Sequence, residues 1–169
     1  MEIVNKVASS GLVTINLENF YPQDGIVSFD LKPHLFKELI LREKDFRTAL
    51  SEIDWKQFQG KVMAVHCSAD VIIPQWAYML VAVYAQPYAK AIYFGNPEIA
   101  MGKYYTEVVA GIDASQYEGQ RIVIKGCSDK PVPEDAYLAL TSKLRPFAAS
   151  IMYGEPCSTV PLFKRKIKK

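Results

Sequence analysis

Gly60-Lys61-Val62-Met63-Ala64-Val65-His66-Cys67-Ser68-Ala69-Asp70, with Pro74 beyond it, is written a second time as Gly119-Gln120-Arg121-Ile122-Val123-Ile124-Lys125-Gly126-Cys127-Ser128-Asp129, with Pro133 beyond it. Each version opens on a glycine turn. A short run dense in Val, Ile and Met follows, the composition of a strand covered on both faces. These runs predict strands over Lys61–His66 and Gln120–Lys125. A polar loop then reaches Pro74 or Pro133, each placed like the first residue of a helix, where its fixed φ fits and its missing N–H costs nothing.

Working outward at the same offset of 59 residues, Ile53-Asp54 falls on Ile112-Asp113, Ala77-Tyr78 on Ala136-Tyr137, and Gly95 and Pro97 on Gly154 and Pro156. The 45 positions from Ile53 to Pro97 hold 13 identities, where unrelated sequences give about three. The copies, about 44–97 and 103–156, read alike. A short helix (about 44–52, 103–111) precedes the strand. A second helix runs from the proline to about Gln86 or Arg145, stopping before Pro87 or Pro146. A last strand, Ala91–Phe94 or Ser150–Tyr153, ends at a Gly-x-Pro turn. Strand, helix, strand with short connections predicts parallel pairing.

Two further strands are expected upstream, Leu12–Leu17 and Ile26–Leu31, joined by a turn at Pro22-Gln23-Asp24-Gly25. They read as an antiparallel addition at one sheet edge, and Leu35–Arg42 as helical. The expected fold is one layered α/β domain, residues 1–163, with a mixed, mostly parallel sheet, an internal βαβ repeat and a basic tail, 164–169.

Composition narrows the class. A chain of 169 residues, half of them hydrophobic and 12% aromatic, can bury a core and is not a disordered segment. Its longest apolar run, Trp76 to Ala85, is 10 residues, short of the 18 or so that a membrane span needs. The opening Met1-Glu2-Ile3-Val4-Asn5-Lys6 lacks the pattern of an export signal, and the expected compartment is the cytoplasm. Of the net charge of +2, five cations lie in the last six residues, so the rest of the chain stands at −3. No basic face with interleaved aromatics appears elsewhere, which weighs against nucleic acid as a partner. No Gly-x-Gly-x-x-Gly, Walker loop, Gly-x-Ser-x-Gly or His-Glu-x-x-His occurs.

The three cysteines suggest a site. Parallel sheets gather functional groups at strand C-terminal ends. Cys67 follows directly on the strand ending at His66, Cys127 on the strand ending near Gly126, and Cys157 comes just after the last strand; each is succeeded by serine. Three thiolates on one sheet edge would suit zinc or an iron–sulfur cluster, with His66, Asp70 or Asp129 as further ligand. Ser68, Ser128 and Lys130 beside the cysteines, and Trp76 as a shield, complete the candidate binding set. A plainer reading treats the cysteines as small packing residues and Asp70 and Asp129 as turn caps. Asp54 and Asp113 are expected to serve the turn after the short helix. A nucleophilic thiol is a third reading, although the Cys-x5-Arg phosphate cradle is missing.

Taken together, Lys44-Asp45-Phe46-Arg47, Cys67-Ser68-Ala69-Asp70 with Trp76-Ala77-Tyr78-Met79, Lys125-Gly126-Cys127-Ser128-Asp129-Lys130-Pro131-Val132-Pro133 and Gly154-Glu155-Pro156-Cys157-Ser158-Thr159-Val160-Pro161 resemble the bacterial family called domain of unknown function 2480. The resemblance spans nearly the whole chain. It implies no established activity, but it implies an association with SUF-type iron–sulfur cluster assembly, whose proteins would be the partners. The expectation is therefore a cytosolic metal-binding accessory protein. The alternatives are a thiol-dependent enzyme acting on a small anionic substrate and a non-catalytic interaction domain. Oligomeric state is left open.

Overall fold

The structure is a computed structural model in which residues 11–126 and 129–166 are described. The chain is α/β and forms two compact units, Pro22–Tyr104 and Met1–Tyr21 with Tyr105–Lys169. The strands are β1 (Leu12–Asn16), β2 (Ile26–Asp30), β3 (Val62–His66), β4 (Ala91–Phe94), β5 (Arg121–Lys125), β6 (Ser150–Glu155) and β7 (Ser158–Lys164). The helices are α1 (Glu43–Glu52), α2 (Gln75–Ala85), α3 (Pro97–Ala110) and α4 (Glu134–Leu144). None is long and apolar enough to cross a membrane.

The two copies of the repeat build two sheets. In the unit Pro22–Tyr104 the order is β2-β3-β4, all parallel. In the other unit the order is β1-β5-β6-β7, parallel until β7, which runs antiparallel to β6. One mixed sheet with an antiparallel N-terminal addition is therefore replaced by two sheets, each with one N-terminal strand laid parallel on its edge. The reason lies in the strands themselves. Leu12-Val13-Thr14-Ile15-Asn16-Leu17 and Ile26-Val27-Ser28-Phe29-Asp30-Leu31 are alike position for position, so each fits the same edge in a different copy. Asn16 and Asp30 then make the same turn, accepting a bond from the N–H two residues on, Glu18 at 3.1 Å and Lys32 at 2.9 Å.

Between the sheets' landmarks the repeat holds at backbone level. Gly60 and Gly119 have φ near +70°, at +72° and +69°, and their N–H groups reach the equivalent carbonyls of Tyr88 and Phe147. Only glycine adopts that turn without strain. Asp54 and Asp113 cap the 3-10 turns that follow, accepting from Lys56 N–H and Ser115 N–H, in the turn role expected of them. Helices α2 and α4 bury equivalent residues, Ala77, Val81 and Ala85 in one and Ala136, Leu140 and Leu144 in the other. Pro74 and Pro133 stand one place earlier than expected, as N-caps with extended ψ.

Three local expectations change. Leu35–Arg42 is not helical: Lys37 and Glu38 have positive φ, and Phe36 bridges to Ile40 in a tight loop. A seventh strand, β7, follows Cys157, its alternation interrupted by Pro161; proline is tolerated there because β7 is an edge. Lys164 closes that strand. Arg165 is held by Glu118 and by the carbonyls of Pro146 and Phe147, so ordered structure continues past residue 163.

The core of Pro22–Tyr104 is aromatic. On one face of its sheet Phe29 meets Trp55 at 5.5 Å and Phe58 at 6.2 Å, while Trp55 stacks on Tyr84 and donates its indole N–H to Leu50 C=O. Such a ring contributes about 1.5–3 kcal/mol by burial alone. His34 is built into this stack, parallel to Phe29 and edge-on to Phe46. Burial pushes its pKa below the ordinary 6.5, against the pull of the Asp30 charge. The folded state therefore prefers neutral His34. Stability from this source is complete above pH 6.5 and is lost as pH falls through the lowered folded value. Both tryptophans belong to this unit, so their fluorescence should report a denaturant midpoint that drops between about pH 7.5 and 5.5. In His34→Phe, which keeps the stack, that drop should shrink; an undiminished drop would remove His34 from the explanation.

Candidate functional site

Each sheet presents a polar row at its strand C-terminal ends. In β2-β3-β4, register pairs Asp30 with His66, so the two share the sheet face opposite Phe29 and Val65. Ser28 Oγ lies 2.8 Å from His66 Nε2. Asp30 accepts from Ser68 N–H at 2.9 Å and from Ser68 Oγ–H at 2.5 Å. Burial pushes the Asp30 carboxyl up, but the bonds from Ser68 and Lys32 and the charge of His66 together hold it below its usual value. These contacts stitch the end of β2 to the loop after β3. Ser28 is exposed and the Asp30 oxygens are engaged by Ser68 and Lys32, so the Ser–His pair works as a cross-strand clasp. Trp76 joins the aromatic core, edge-on to Phe46, instead of shielding a pocket.

In the other unit the equivalent positions carry different chemistry. Glu18 Oε1 accepts from the N–H groups of Asp129 and Lys130, at 2.8 and 3.3 Å, fixing the loop after β5. Lys130 Nζ lies 5.1 Å from the centre of the Tyr21 ring. Lys125 pairs with Glu155 at 2.9 Å; that hydrogen bond, with the charges of Glu155 and Glu18, raises the ammonium pKa against the opposing desolvation.

Beside this row is a cavity of about 390 Å³ lined by Ile124, Val132, Glu134, Tyr137, Thr141, Tyr153 and Leu162. The first six come from β5, the following loop, α4 and β6, and Leu162 comes from β7. Tyr137 and Tyr153 meet edge to face at 5.8 Å, as Tyr78 and Phe94 do at 5.1 Å in the equivalent place. Gly126 lets the ring in: a Cβ there would sit 2.5 Å from the Tyr137 hydroxyl. Its counterpart is Cys67. The cavity was not legible from the strand pattern, because one wall belongs to β7.

Among the described residues the expected metal centre is not assembled. Cys67 is half-buried against the aromatic core of its unit, near enough to Tyr78 that its charge, after burial, raises the phenol pKa. Cys157 is exposed in the turn between β6 and β7, in the other sheet. Cys127 and Ser128 lie outside the described residues. Among the described residues no group of three His, Cys, Asp or Glu side chains could hold a metal ion. The zinc or iron–sulfur accessory reading is thereby overturned: Cys67 packs into the core of its own unit, and Cys157 is exposed on a turn. His66 is occupied by Ser28, and Asp70 is exposed without capping α2. Asp129 engages Glu18 through its backbone N–H. Iodoacetamide labelling, resolved by peptide mass spectrometry, should modify Cys157 promptly and Cys67 only slowly until the chain is unfolded. Equal rates in the native protein would contradict the packing assigned to Cys67.

No curated protein and no solved structure matches the chain. The family described as protein of unknown function (DUF2480) matches residues 1–165, and with the repeat, the two sheets and the polar strand ends in view, the chain belongs to that family.

Proposed function

We propose that the protein is a small-molecule-binding protein whose ligand occupies the cavity between α4, β6 and β7. The observation that supports this reading is the fourth wall. Leu162 of β7 borders an open recess of about 390 Å³, within the volume range of ligand pockets, at the carboxyl ends of parallel strands. The lining is mostly apolar, with one carboxylate, Glu134, and the hydroxyls of Tyr137, Thr141 and Tyr153. Among the described residues that line it there is no thiol, imidazole or amine, so the recess is equipped to hold and orient a molecule. The matching ligand class is a compact aromatic or branched apolar body with one cationic or hydrogen-bond-donating group directed at Glu134 and Thr141.

Benzylamine, toluene and benzoate isolate the contributions of charge and apolar fit. Titration of the full chain, followed by NMR, should give saturable shifts at Val132, Thr141 and Leu162 for benzylamine, weaker ones for toluene and the weakest for benzoate. Leu162→Trp, which fills the recess, should abolish them. Glu134→Gln should weaken benzylamine about threefold to fivefold, as expected for an exposed ion pair, and leave toluene unchanged. Benzylamine shifts that are absent, or that persist in a folded Leu162→Trp variant, would end this reading.

A further inference from the structure

Among the described residues of the unit that holds β5, β6 and β7, the large hydrophobic side chains left exposed are Leu138, Tyr153, Val160 and Leu162. All four border one place. Tyr153 and Leu162 line the recess of about 390 Å³. Val160 is the register partner of Tyr153, so it stands beside that ring on the same face of the sheet. Leu138 lies four residues after Glu134 and three before Thr141, within the stripe of α4 that lines the recess. Leu138 is 71% exposed and Val160 58%, and neither is part of the lining itself. An apolar rim therefore carries the apolar interior outward on two sides, one on α4 and one on β7. Exposed apolar surface gathered in this way, instead of scattered singly, is the mark of a binding groove.

We infer that the ligand of this recess is an elongated cationic amphiphile: its charge meets Glu134, its apolar body fills the recess, and an unbranched hydrocarbon arm lies over Leu138 and Val160. The inference rests on the ligand-binding reading above and narrows the ligand's class. Charge selects the head. Glu134 is the one charged side chain among the described residues of the lining, so a cation is matched there and the carboxylate of a fatty acid is repelled. Geometry selects the arm. Glu134 and Thr141 stand seven residues apart on α4, about 10 Å along the helix axis, so the recess is longer than one aromatic ring. A compact ligand leaves Leu138 and Val160 in water, whereas an arm removes both from it. The two are aliphatic and stand on the facing sides of the opening, which suits a slim flexible chain. A peptide strand is a poorer occupant, because the outer edge of β7 is interrupted by Pro161, which offers no N–H, and closes on Lys164.

4-Butylbenzylamine tests this, since it keeps the head and ring of benzylamine and adds a straight arm. In NMR titrations of the full chain it should bind about tenfold more tightly than benzylamine, the gain expected when the arm is roughly half covered. Leu138→Gln combined with Val160→Thr should cut that gain to about threefold or less and leave the benzylamine dissociation constant unchanged. Ile72→Ser, which removes a 95% exposed side chain from the other unit, should leave the gain intact. If the double variant does not fold, Val160→Thr alone makes the comparison and should remove part of the gain. Equal binding of the two amines, a gain that survives in the folded variant, or a gain lost in Ile72→Ser would overturn the arm while the recess stands as a binding site. Absence of saturable benzylamine shifts removes the ligand-binding reading itself, and this inference with it.

Discussion

Five parallel register pairs bind Leu12–Asn16 to Arg121–Lys125, and the organisation of the whole chain depends on them. A parallel strand needs a neighbour brought from elsewhere in the chain, because no tight turn can supply one. Here the second copy of the repeat takes its edge strand from the start of the chain, leaving the first unit contiguous between Pro22 and Tyr104. That unit closes its contacts over short loops. The unit containing β1 must close a loop of about a hundred residues, a cost that grows only logarithmically with length but slows folding. The polar ends of β1 reinforce the closure. Glu18, just past that strand, holds the backbone of Asp129 and Lys130, and the Tyr105 hydroxyl donates to the Leu17 carbonyl at 2.9 Å.

Duplication freed the two copies to differ in chemistry on a common frame. Asp30 and Asn16 occupy one position, as do His66 and Lys125, or Cys67 and Gly126. In the first unit these residues make a Ser–His and an Asp–Ser clasp over an aromatic core. In the second they make a Lys–Glu pair and leave a glycine beside Tyr137, whose ring then forms a wall of an apolar recess. The first unit has a thiol where that glycine stands, and the thiol is absorbed into packing. A free cysteine is among the most readily buried side chains, and this one behaves so.

Much of the frame was legible without coordinates. Period, glycine turns and helix-starting prolines located β3, α2, β4, β5, α4 and β6, and the 59-residue offset paired them correctly. Two signals were available but easily missed. The likeness of Leu12–Leu17 to Ile26–Leu31 announces two equivalent edge strands, but the Asp24-Gly25 turn suggests joining them to each other. In Ser158–Lys164, alternation survives around Pro161, but proline argues against a strand unless an edge is already known. Leu35–Arg42 has helical composition, yet positive φ at Lys37 and Glu38 bends it into a loop.

By itself the sequence determined the α/β class, the duplication and the elements within each copy, because hydrophobic period and backbone stereochemistry act locally. It also determined the family. Only the tertiary structure decided that the copies form two sheets, that Cys67 and Cys157 belong to different ones, and that β7 supplies one wall of a cavity. Those outcomes depend on which strands pair across long separations. That choice is made by register and side-chain fit between distant segments, which no local pattern encodes.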